Sequence, residues 1–138
     1  KELSQFARDI RNRDGCKAYC KACANNYMKS YYSSTARGIY NRLRDSASSQ
    51  RIAFTIKPDE FAIWWENQSH QCHYCKRGLT RSLNRTHKLT DMTFDRKDAR
   101  QGYTIENIVL ACRRCNLMKG DWLTEQQTKE IAQRYFRF

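Results

Sequence analysis

Two closely spaced pairs of cysteines in the second half of the chain constrain its fold most strongly. Cys72 and Cys75 are separated by two residues, and so are Cys112 and Cys115. This spacing lets both sulfurs of a pair face one ion from a tight turn, and four thiolates form a tetrahedral structural zinc site. The pattern predicts one structural zinc joining two distant segments. Disulfides or a redox-active pair fit less well, because neither a secretion signal nor a thioredoxin-like βαβ pattern accompanies the cysteines.

Three further cysteines lie near the N-terminus. Cys20 and Cys23 repeat the two-residue spacing, and Cys16 precedes them. Such a pair is half of a zinc site, so Cys20 and Cys23 are candidates for ligands of a second zinc. A remnant without metal explains the pattern equally well, because the sequence does not identify the remaining ligands.

The charge balance of the chain indicates the chemistry of its partner. Lys and Arg number 26 against 14 Asp and Glu, which gives a formal net charge of +12. A surface of this kind attracts polyanions through phosphate contacts and counterion release. Residues 1–10 contain no apolar core of a signal peptide, and no apolar run has transmembrane length. We expect a nucleic-acid partner, no membrane partner, and a cytoplasmic or nucleoid-associated location, as in bacteria or phage, with an organellar location left open.

Hydrophobic spacing and capping residues predict a mixed α+β chain. The first helix is basic and carries an apolar stripe from Tyr27 to Leu43. Thr124 is the expected N-cap of the last helix. The predicted elements are a helix at 24–48, a strand at 52–56, a helix from Pro58, strands at 92–94 and 108–111, a short helix at 112–119 ended by Gly120, and a helix from 125 to about 134.

The segment FDRKDARQGYTIENIVLACRRCNLMKGD, residues 94–121, resembles the HNH or ββα-metal endonuclease motif. It is similar to a subgroup that reads D-R-x-D, then G-Y-x-x-x-N, then C-x-x-C-N-x-x-K. The resemblance implies an α+β fold with a ββα-metal core and a structural zinc held by four cysteines. The core would follow a basic helix and a partial zinc ribbon. We expect a zinc-ribbon and helix segment at 1–50 and a nuclease domain at 51–138.

Two residues of this motif are candidates for ligands of a catalytic cation. Asp95 ends the first predicted strand, and Asn116 directly follows the second cysteine pair. The resemblance implies that both positions bind the catalytic metal, Mg²⁺ or Mn²⁺, and carboxylate and amide oxygens suit such hard cations. Taken singly, each residue is more simply a turn carboxylate or a helix-cap amide. Their spacing around the cysteine pairs favours the metal interpretation.

The chain departs from the usual motif where most HNH enzymes place a histidine base. Arg96 occupies that position, and an arginine cannot accept a proton at neutral pH. We therefore expect Arg96 to contact the phosphate or to stabilise the charge of the transition state. Tyr103 is the first candidate for the general base, since a neighbouring Arg and a metal would lower its pKa. His87 is the second candidate, and the resemblance assigns to Asn107 the role of bracing the loop between the strands.

Clustered basic residues around this motif are candidates for nucleic-acid contacts. They are Lys76, Arg77, Arg81, Arg113, Arg114 and Lys119. The predicted function is a metal-dependent HNH endonuclease that hydrolyses DNA, of restriction, phage or homing type. RNA as substrate and a homodimer are left open. One alternative is a catalytically weak or inactive HNH-fold zinc protein that binds nucleic acid within a larger assembly. Another is a zinc-ribbon interaction module.

Overall fold

A computed structural model describes residues 1–80 and 88–136 of the chain. Its strands and helices come in runs along the sequence (two strands, three helices, two strands, two helices), as expected for an α+β fold. A short 3-10 turn at Leu3–Gln5 precedes them. The elements are β1 (Phe6–Arg8), β2 (Cys16–Cys20), α1 (Lys21–Ser34), α2 (Ala36–Ser49), α3 (Pro58–Glu66), β3 (Met92–Arg96), β4 (Ile108–Cys112), α4 (Arg113–Lys119) and α5 (Glu125–Tyr135).

The N-terminal segment forms a small antiparallel hairpin that the sequence did not predict. Phe6 of β1 pairs with Cys20 of β2, and Arg8 pairs with Cys16. Gly15 has a positive φ of 68°, which closes the turn between the strands. The hairpin strands are short and bury only Cys20, and they lack the alternating apolar pattern that identifies a strand.

The prediction of one helix over residues 24–48 is wrong, because Thr35 interrupts the helix. The backbone of Thr35 is extended, and its side-chain oxygen accepts a hydrogen bond from the Gly38 N–H, so Thr35 is the N-cap of α2. The two helices meet closely at this corner. A Cβ atom at Gly38 would lie 2.1 Å from the Tyr31 carbonyl oxygen, so a glycine is required there.

The break also changes which residues of these helices are buried. Ile39 and Leu43 enter the core as expected, but the side chain of Tyr27 is 69% exposed. Tyr40, which lies off the predicted stripe, is buried and donates its hydroxyl hydrogen to the Ile56 carbonyl at 3.0 Å. A single helical period cannot run through both helices, because the extended residue resets its phase.

Residues 52–56 do not form the predicted strand. Instead Phe54 makes an isolated bridge to Tyr103, in the loop between β3 and β4. The Tyr103 N–H donates to the Ala53 carbonyl at 2.8 Å, and the Thr55 N–H donates to the Tyr103 carbonyl at 3.1 Å. Gly102 permits this approach, since a Cβ atom there would lie 2.4 Å from the Ala53 oxygen. The segment therefore fixes the inter-strand loop.

The C-terminal half follows the predicted order of strand, loop, strand and helix. Strands β3 and β4 pair antiparallel, with Asp95 opposite Val109 and Met92 opposite Cys112. Helix α4 follows β4 directly and ends at Gly120, whose φ is 51°. Thr124 caps α5 as expected, and its side chain accepts from the N–H of residue 127. The chain therefore contains a ββα unit.

One hydrophobic cluster joins helix α2 to the ββα unit. Trp65 is stacked on Phe61, with 6.1 Å between the ring centroids. Because α2 and β4 bury their side chains in the same cluster, α2 is held in place beside the ββα unit. The cluster contains Ile39, Tyr40, Leu43, Ile56, Phe61, Trp65, Ile108 and Leu110. The division of the chain into a zinc-ribbon and helix segment at 1–50 and a nuclease domain at 51–138 stays a prediction.

Within residues 1–80 and 88–136, no helix combines the length and the apolar character needed to span a bilayer.

Candidate active site

The four cysteines of the second half form one cluster. Their sulfur atoms all lie within 4.8 Å of one another, and Cys75 Sγ is 3.8 Å from Cys112 Sγ. Tetrahedral zinc with Zn–S bonds of about 2.3 Å separates its sulfurs by about 3.8 Å. Cys72, Cys112 and Cys115 are buried. Donor type, number and spacing therefore fit a structural metal such as zinc.

The cysteine cluster connects three parts of the chain. Within the first pair, the Lys76 N–H donates to the Cys72 carbonyl at 2.9 Å and closes a tight turn. The His73 N–H donates to the Leu110 carbonyl of β4 at 2.8 Å. The His73 side chain reaches Glu125 of α5, with 2.6 Å between Nε2 and Oε1. The turn is thereby attached to the strand and helices that carry the rest of the site.

Asp95 is a buried carboxylate held from two sides. The hydroxyl of Tyr74 donates to Oδ2, and the ammonium of Lys119 lies 3.4 Å from Oδ1. Burial raises the pKa of Asp95, and its contacts with Tyr74 and Lys119 oppose that shift. Burial, followed by the contact with Asp95, also raises the pKa of Tyr74, which therefore remains a donor. Both oxygens of Asp95 are thus fixed in orientation.

The structure contradicts the expected role of Lys119 as a phosphate contact. Its side chain is completely buried, and its ammonium donates to the Arg96 carbonyl at 2.8 Å besides approaching Asp95. Lys119 lies three residues after Asn116 on α4, so both side chains face the strand β3 against which the helix packs. A charge enclosed in this way neutralises Asp95 from within the protein.

Asn116 is oriented by β3. Its side-chain Nδ2 donates to Thr93 Oγ1 at 3.0 Å and approaches the Phe94 carbonyl oxygen at 3.4 Å. Because Asn116 directly follows Cys115, the cysteine cluster fixes the backbone that carries this amide.

Arg96, the last residue of β3, lies beside Tyr103 of the loop between β3 and β4. Nη1 of Arg96 donates to the carbonyls of Ala99 at 2.6 Å and Gln101 at 2.8 Å. The guanidinium carbon is 5.6 Å from the centroid of the Tyr103 ring. Burial raises the pKa of Tyr103, and the lowering effect of Arg96 only opposes this. Burial of Tyr103 therefore outweighs the expected lowering of its pKa by Arg96.

Asn107 braces the loop in the manner that the sequence predicted. Its Nδ2 donates to the carbonyls of Asp98 at 3.1 Å and Gly102 at 2.8 Å, and its Oδ1 accepts from the Asp98 N–H at 2.9 Å. The carboxylate of Asp98 bonds to Arg100, which lowers the pKa of Asp98 to about 2. Asn107 is thus a structural residue that holds the loop carrying Tyr103.

A cleft of about 500 Å³ collects the candidate catalytic residues. Asp95, Arg96, Tyr103 and Asn116 all line it, so the structure places four predicted residues at one solvent-accessible site. Helix α2 and its C-terminal flank supply part of the wall, which the sequence analysis missed because no motif links α2 to the ββα unit. The additional lining residues are Arg42, Leu43, Ser46, Gln50, Ile52, Phe94, Ala99, Gly120 and Asp121.

Comparison with known protein families now identifies this part of the chain. The family model described as HNH endonuclease matches residues 72–121. Residues 72–121 form an HNH domain. The match contains both cysteine pairs, both strands of the ββα unit and helix α4. It therefore agrees with the family resemblance predicted from the sequence.

A solved structure resembles the chain beyond the HNH domain. It is that of PacI, described as a rare-cutting HNH restriction endonuclease with an extraordinary mechanism of DNA perturbation. The two share 20% sequence identity with a TM-score of 0.56, and the similarity covers 97% of this chain and 85% of that chain. At this identity the likeness shows a common fold. Among curated protein sequences, none matches the chain.

Four further basic candidates among the described residues lie in the HNH domain and do not line the cleft. Lys76 is exposed in the turn beside Cys75. Arg114 places its guanidinium carbon 3.7 Å from the centroid of the Phe136 ring, which directs it toward the C-terminal segment. Arg77 and Arg113 are half-buried, and their contact with nucleic acid stays a prediction, as does that of Lys76 and Arg114. Arg81 and His87 lie outside the described residues.

The N-terminal cysteines lie apart from the cluster of the HNH domain. The ammonium of Lys1 is 3.1 Å from Cys20 Sγ and 3.7 Å from Cys23 Sγ. In the part of the chain that the structure describes, these sulfurs do not belong to a cluster of three or more potential ligands. A second zinc held by Cys20 and Cys23 stays a prediction.

Proposed function

We propose that this protein is a metal-dependent HNH endonuclease that hydrolyses phosphodiester bonds of DNA. One observation carries the proposal: Asp95, Arg96, Tyr103 and Asn116 line one cleft of the HNH domain. Hydrolysis of a phosphodiester requires compensation of the charge that develops on the phosphate, together with a proton acceptor for the attacking water. This set of side chains supplies groups suited to both requirements.

The metal ligands of the proposal follow from donor chemistry. Cys72, Cys75, Cys112 and Cys115 would hold a structural zinc, while Asp95 and Asn116 would hold Mg²⁺ or Mn²⁺ through oxygen atoms. When bound, the divalent cation supplies charge neutralisation at the scissile phosphate. A carboxylate has about four lone-pair sites, so the two contacts from Tyr74 and Lys119 leave acceptor capacity on Asp95.

Arg96 has the geometry of a phosphate-binding residue. Its Nη1 is committed to two loop carbonyls, which fixes the plane of the guanidinium. The guanidinium also contacts Tyr103, and its remaining donors would approach the phosphate. This role preserves the charge of Arg96 throughout the reaction.

Tyr103 is the proposed proton acceptor. Its ring lies beside Arg96 in the cleft, and both Arg96 and a bound cation favour the phenolate over the phenol. Burial works in the opposite direction, so proton transfer to Tyr103 becomes more effective as the pH rises. His87 is the alternative acceptor from the sequence analysis.

The substrate is proposed from charge and from the likeness to PacI. The net charge of +12 favours a polyanion, and PacI is described as perturbing DNA. One cleft cuts one strand, so cleavage of both strands would require a homodimer or two successive nicks. We propose a cytoplasmic or nucleoid-associated location, where such a substrate is found.

The alternative, a catalytically weak nucleic-acid-binding protein, has one observation in its favour. The Lys119 ammonium already compensates the charge of Asp95 at 3.4 Å, which reduces the benefit of a bound cation. The four-cysteine cluster is equally necessary in both proposals, because it stabilises the fold in each.

A plasmid assay decides between the two functions. Supercoiled DNA is incubated with the protein and Mg²⁺ or Mn²⁺, with and without EDTA, beside an Asp95→Asn variant. The endonuclease proposal predicts nicked or linear DNA that EDTA and Asp95→Asn both prevent. A mobility shift with no cleavage under any of these conditions would favour the binding protein. An RNA substrate tested in parallel separates the two nucleic acids.

A further inference from the structure

Three side chains at the C-terminal half of helix α2 line the wall of the active-site cleft. They are Arg42, Ser46 and Gln50, spaced four residues apart, and Gln50 is the C-cap of the helix. Residues at this spacing lie one above another on a single helix face. The three form a polar stripe that lines the same cleft as Asp95, Arg96 and Asn116 of the HNH domain.

The helix that carries this stripe is fixed rather than loosely attached. Leu43 and Ala47, on the adjacent face of α2, are buried in the core. At the C-terminal end of the stripe, Nε2 of Gln50 donates to the Ser46 carbonyl at 3.2 Å and to its Oγ at 2.9 Å. A group on such an element keeps its distance from the catalytic residues without an induced change of shape.

The lining of the cleft contains both carboxylates and guanidinium groups. Asp95 and Asp121 contribute carboxylates, and Arg96 contributes a cation from the end of β3. A nucleic-acid strand brings one negative charge per phosphate, so a strand lying in this cleft needs positive charge beyond that of Arg96. Arg42 supplies it, with a planar group suited to phosphate oxygens.

We propose that the α2 stripe is a backbone clamp: Arg42 binds a DNA phosphate next to the scissile one, and Ser46 and Gln50 contact the neighbouring backbone. The clamp holds the strand against Asp95 and Asn116. This inference rests on the proposed endonuclease function and adds a substrate-binding element to it. Contacts to phosphate fix register and orientation and carry no sequence information, so the clamp acts on every DNA sequence alike.

The chain offers a matched control on the same helix. Arg44 lies two residues after Arg42, which turns its side chain about 200° around the helix axis. It pairs with Asp45, with 3.0 Å between Nη2 and Oδ1, and its guanidinium lies 5.9 Å from the Tyr40 ring. Arg44 does not belong to the described residues that line the cleft. Both substitutions remove one positive charge from the same helix.

The test measures DNA binding as a function of salt in an Asp95→Asn background, which prevents cleavage. We expect Arg42→Ala to weaken binding about tenfold and to reduce the slope of log K against log salt by about 0.9, the value for one phosphate contact. Arg44→Ala should leave the slope unchanged, and Arg42→Lys should restore it. An equal salt slope for Arg42→Ala and Arg44→Ala would overturn the clamp. Circular dichroism of each variant confirms that α2 remains folded.

Cleavage in the otherwise native protein separates failure of the clamp from failure of the proposed function. If the protein cuts DNA, Arg42→Ala should raise KM about tenfold, and Arg42→Lys should restore KM. A protein that cuts equally well with Arg42→Ala and Arg44→Ala refutes the clamp while the endonuclease proposal stands. A protein that never cuts refutes the endonuclease proposal, and the salt slopes still decide whether Arg42 contacts the backbone.

Discussion

Asp95 combines two properties that seldom occur together, burial in the protein and an expected role as a cation ligand. The residue is 7% exposed, and its carboxylate is held by Tyr74 and by the enclosed ammonium of Lys119. Removal of one partner from a buried ion pair leaves a charge without compensation, which is costly. The stability of the protein and the orientation of its candidate metal ligand therefore depend on the same contact.

Replacement of Lys119 by methionine tests this dependence. We expect Lys119→Met to lower the free energy of unfolding by about 3 kcal/mol at neutral pH, as for other broken buried pairs. Urea denaturation followed by fluorescence measures the change. Lys129→Met is the control, because the side chains of the Lys129–Glu125 pair are 30% and 33% exposed, and its loss should cost less than about 1 kcal/mol.

The pH dependence of the Lys119→Met defect has a defined sign. The pKa of Asp95 is raised by burial, and loss of Lys119 raises it further. As the pH falls through that raised pKa, Asp95 becomes neutral and no longer needs a counter-charge. The stability difference from the native protein should shrink in acid. A difference that is constant or larger in acid would show that Lys119 acts through packing alone.

The proposed role of Tyr103 as proton acceptor predicts a pH dependence of cleavage. Since burial raises its pKa above the ordinary tyrosine value of about 10, the phenolate is scarce at neutral pH, and the cleavage rate should increase with pH into the alkaline range. Tyr103→Phe should lower kcat at least about 100-fold and abolish that increase. A pH–rate series on both proteins measures it. An unchanged profile in the variant would transfer the role to another group, with His87 as the first candidate.

The positions of these residues in the fold were predictable from sequence to different extents. Asp95, Asn107 and Asn116 occupy positions defined by the motif and its spacing, and the structure places them accordingly. Tyr74 and Lys119 escaped recognition as partners of Asp95, because their pairing depends on how the cysteine turn and α4 pack against β3. A basic residue near a nuclease motif suggests a phosphate contact from the sequence alone, and only burial corrects that interpretation.

The break between α1 and α2 determines what helix α2 presents to the cleft. Thr35 ends one helix and caps the next, and Gly38 lets α2 pass close to Tyr31. The composition of residues 24–48 suits a helix throughout, so the break was not predicted. It arises from a capping hydrogen bond and a close backbone contact, which depend on the position of both helices and not on propensity.

Gly38→Ala tests the importance of this corner. The added Cβ would lie 2.1 Å from a backbone oxygen, so α2 must shift, and we expect a loss of about 2 kcal/mol in stability together with weaker DNA binding. Thermal denaturation and a binding titration measure the two effects. Gly78→Ala is the control, because nothing lies within 4 Å of its added Cβ atom. Equal behaviour of the two variants would contradict the requirement for close approach.

The whole molecule combines a hydrophobic core with a cluster of sulfur ligands. The core joins α2 and α3 to β4, while the cysteine cluster joins the turn at 72–75 to β4 and α4. The α+β class, the ββα order and the four cysteines followed from the sequence, since each has a local signature. The N-terminal hairpin did not, because its short strands lack an alternating apolar pattern. The contact of α2 with the cleft did not either, because it depends on packing between segments far apart in the chain.

Metal removal tests the proposed structural role of the cysteine cluster. Binding energy at such a site is folding energy, so a strong chelator should abolish the cooperative thermal transition of the HNH domain, and zinc should restore it. Cys72→Ser should behave like the chelated protein. Cys16→Ser is the control and should keep the transition. Retention of the native transition in the chelated protein, with no bound metal, would contradict the zinc assignment.

The convergence of Asp95 and Asn116 on one cation is the central claim, and a crystal soaked in Mn²⁺ tests it most directly. We predict an anomalous-scattering peak in the cleft, about 2–2.5 Å from one carboxylate oxygen of Asp95 and from the amide oxygen of Asn116. The peak should be absent from crystals of Asp95→Ala. Fully soaked crystals in which the two side chains point apart, with no peak between them, would contradict the assignment of this cleft as a catalytic metal site.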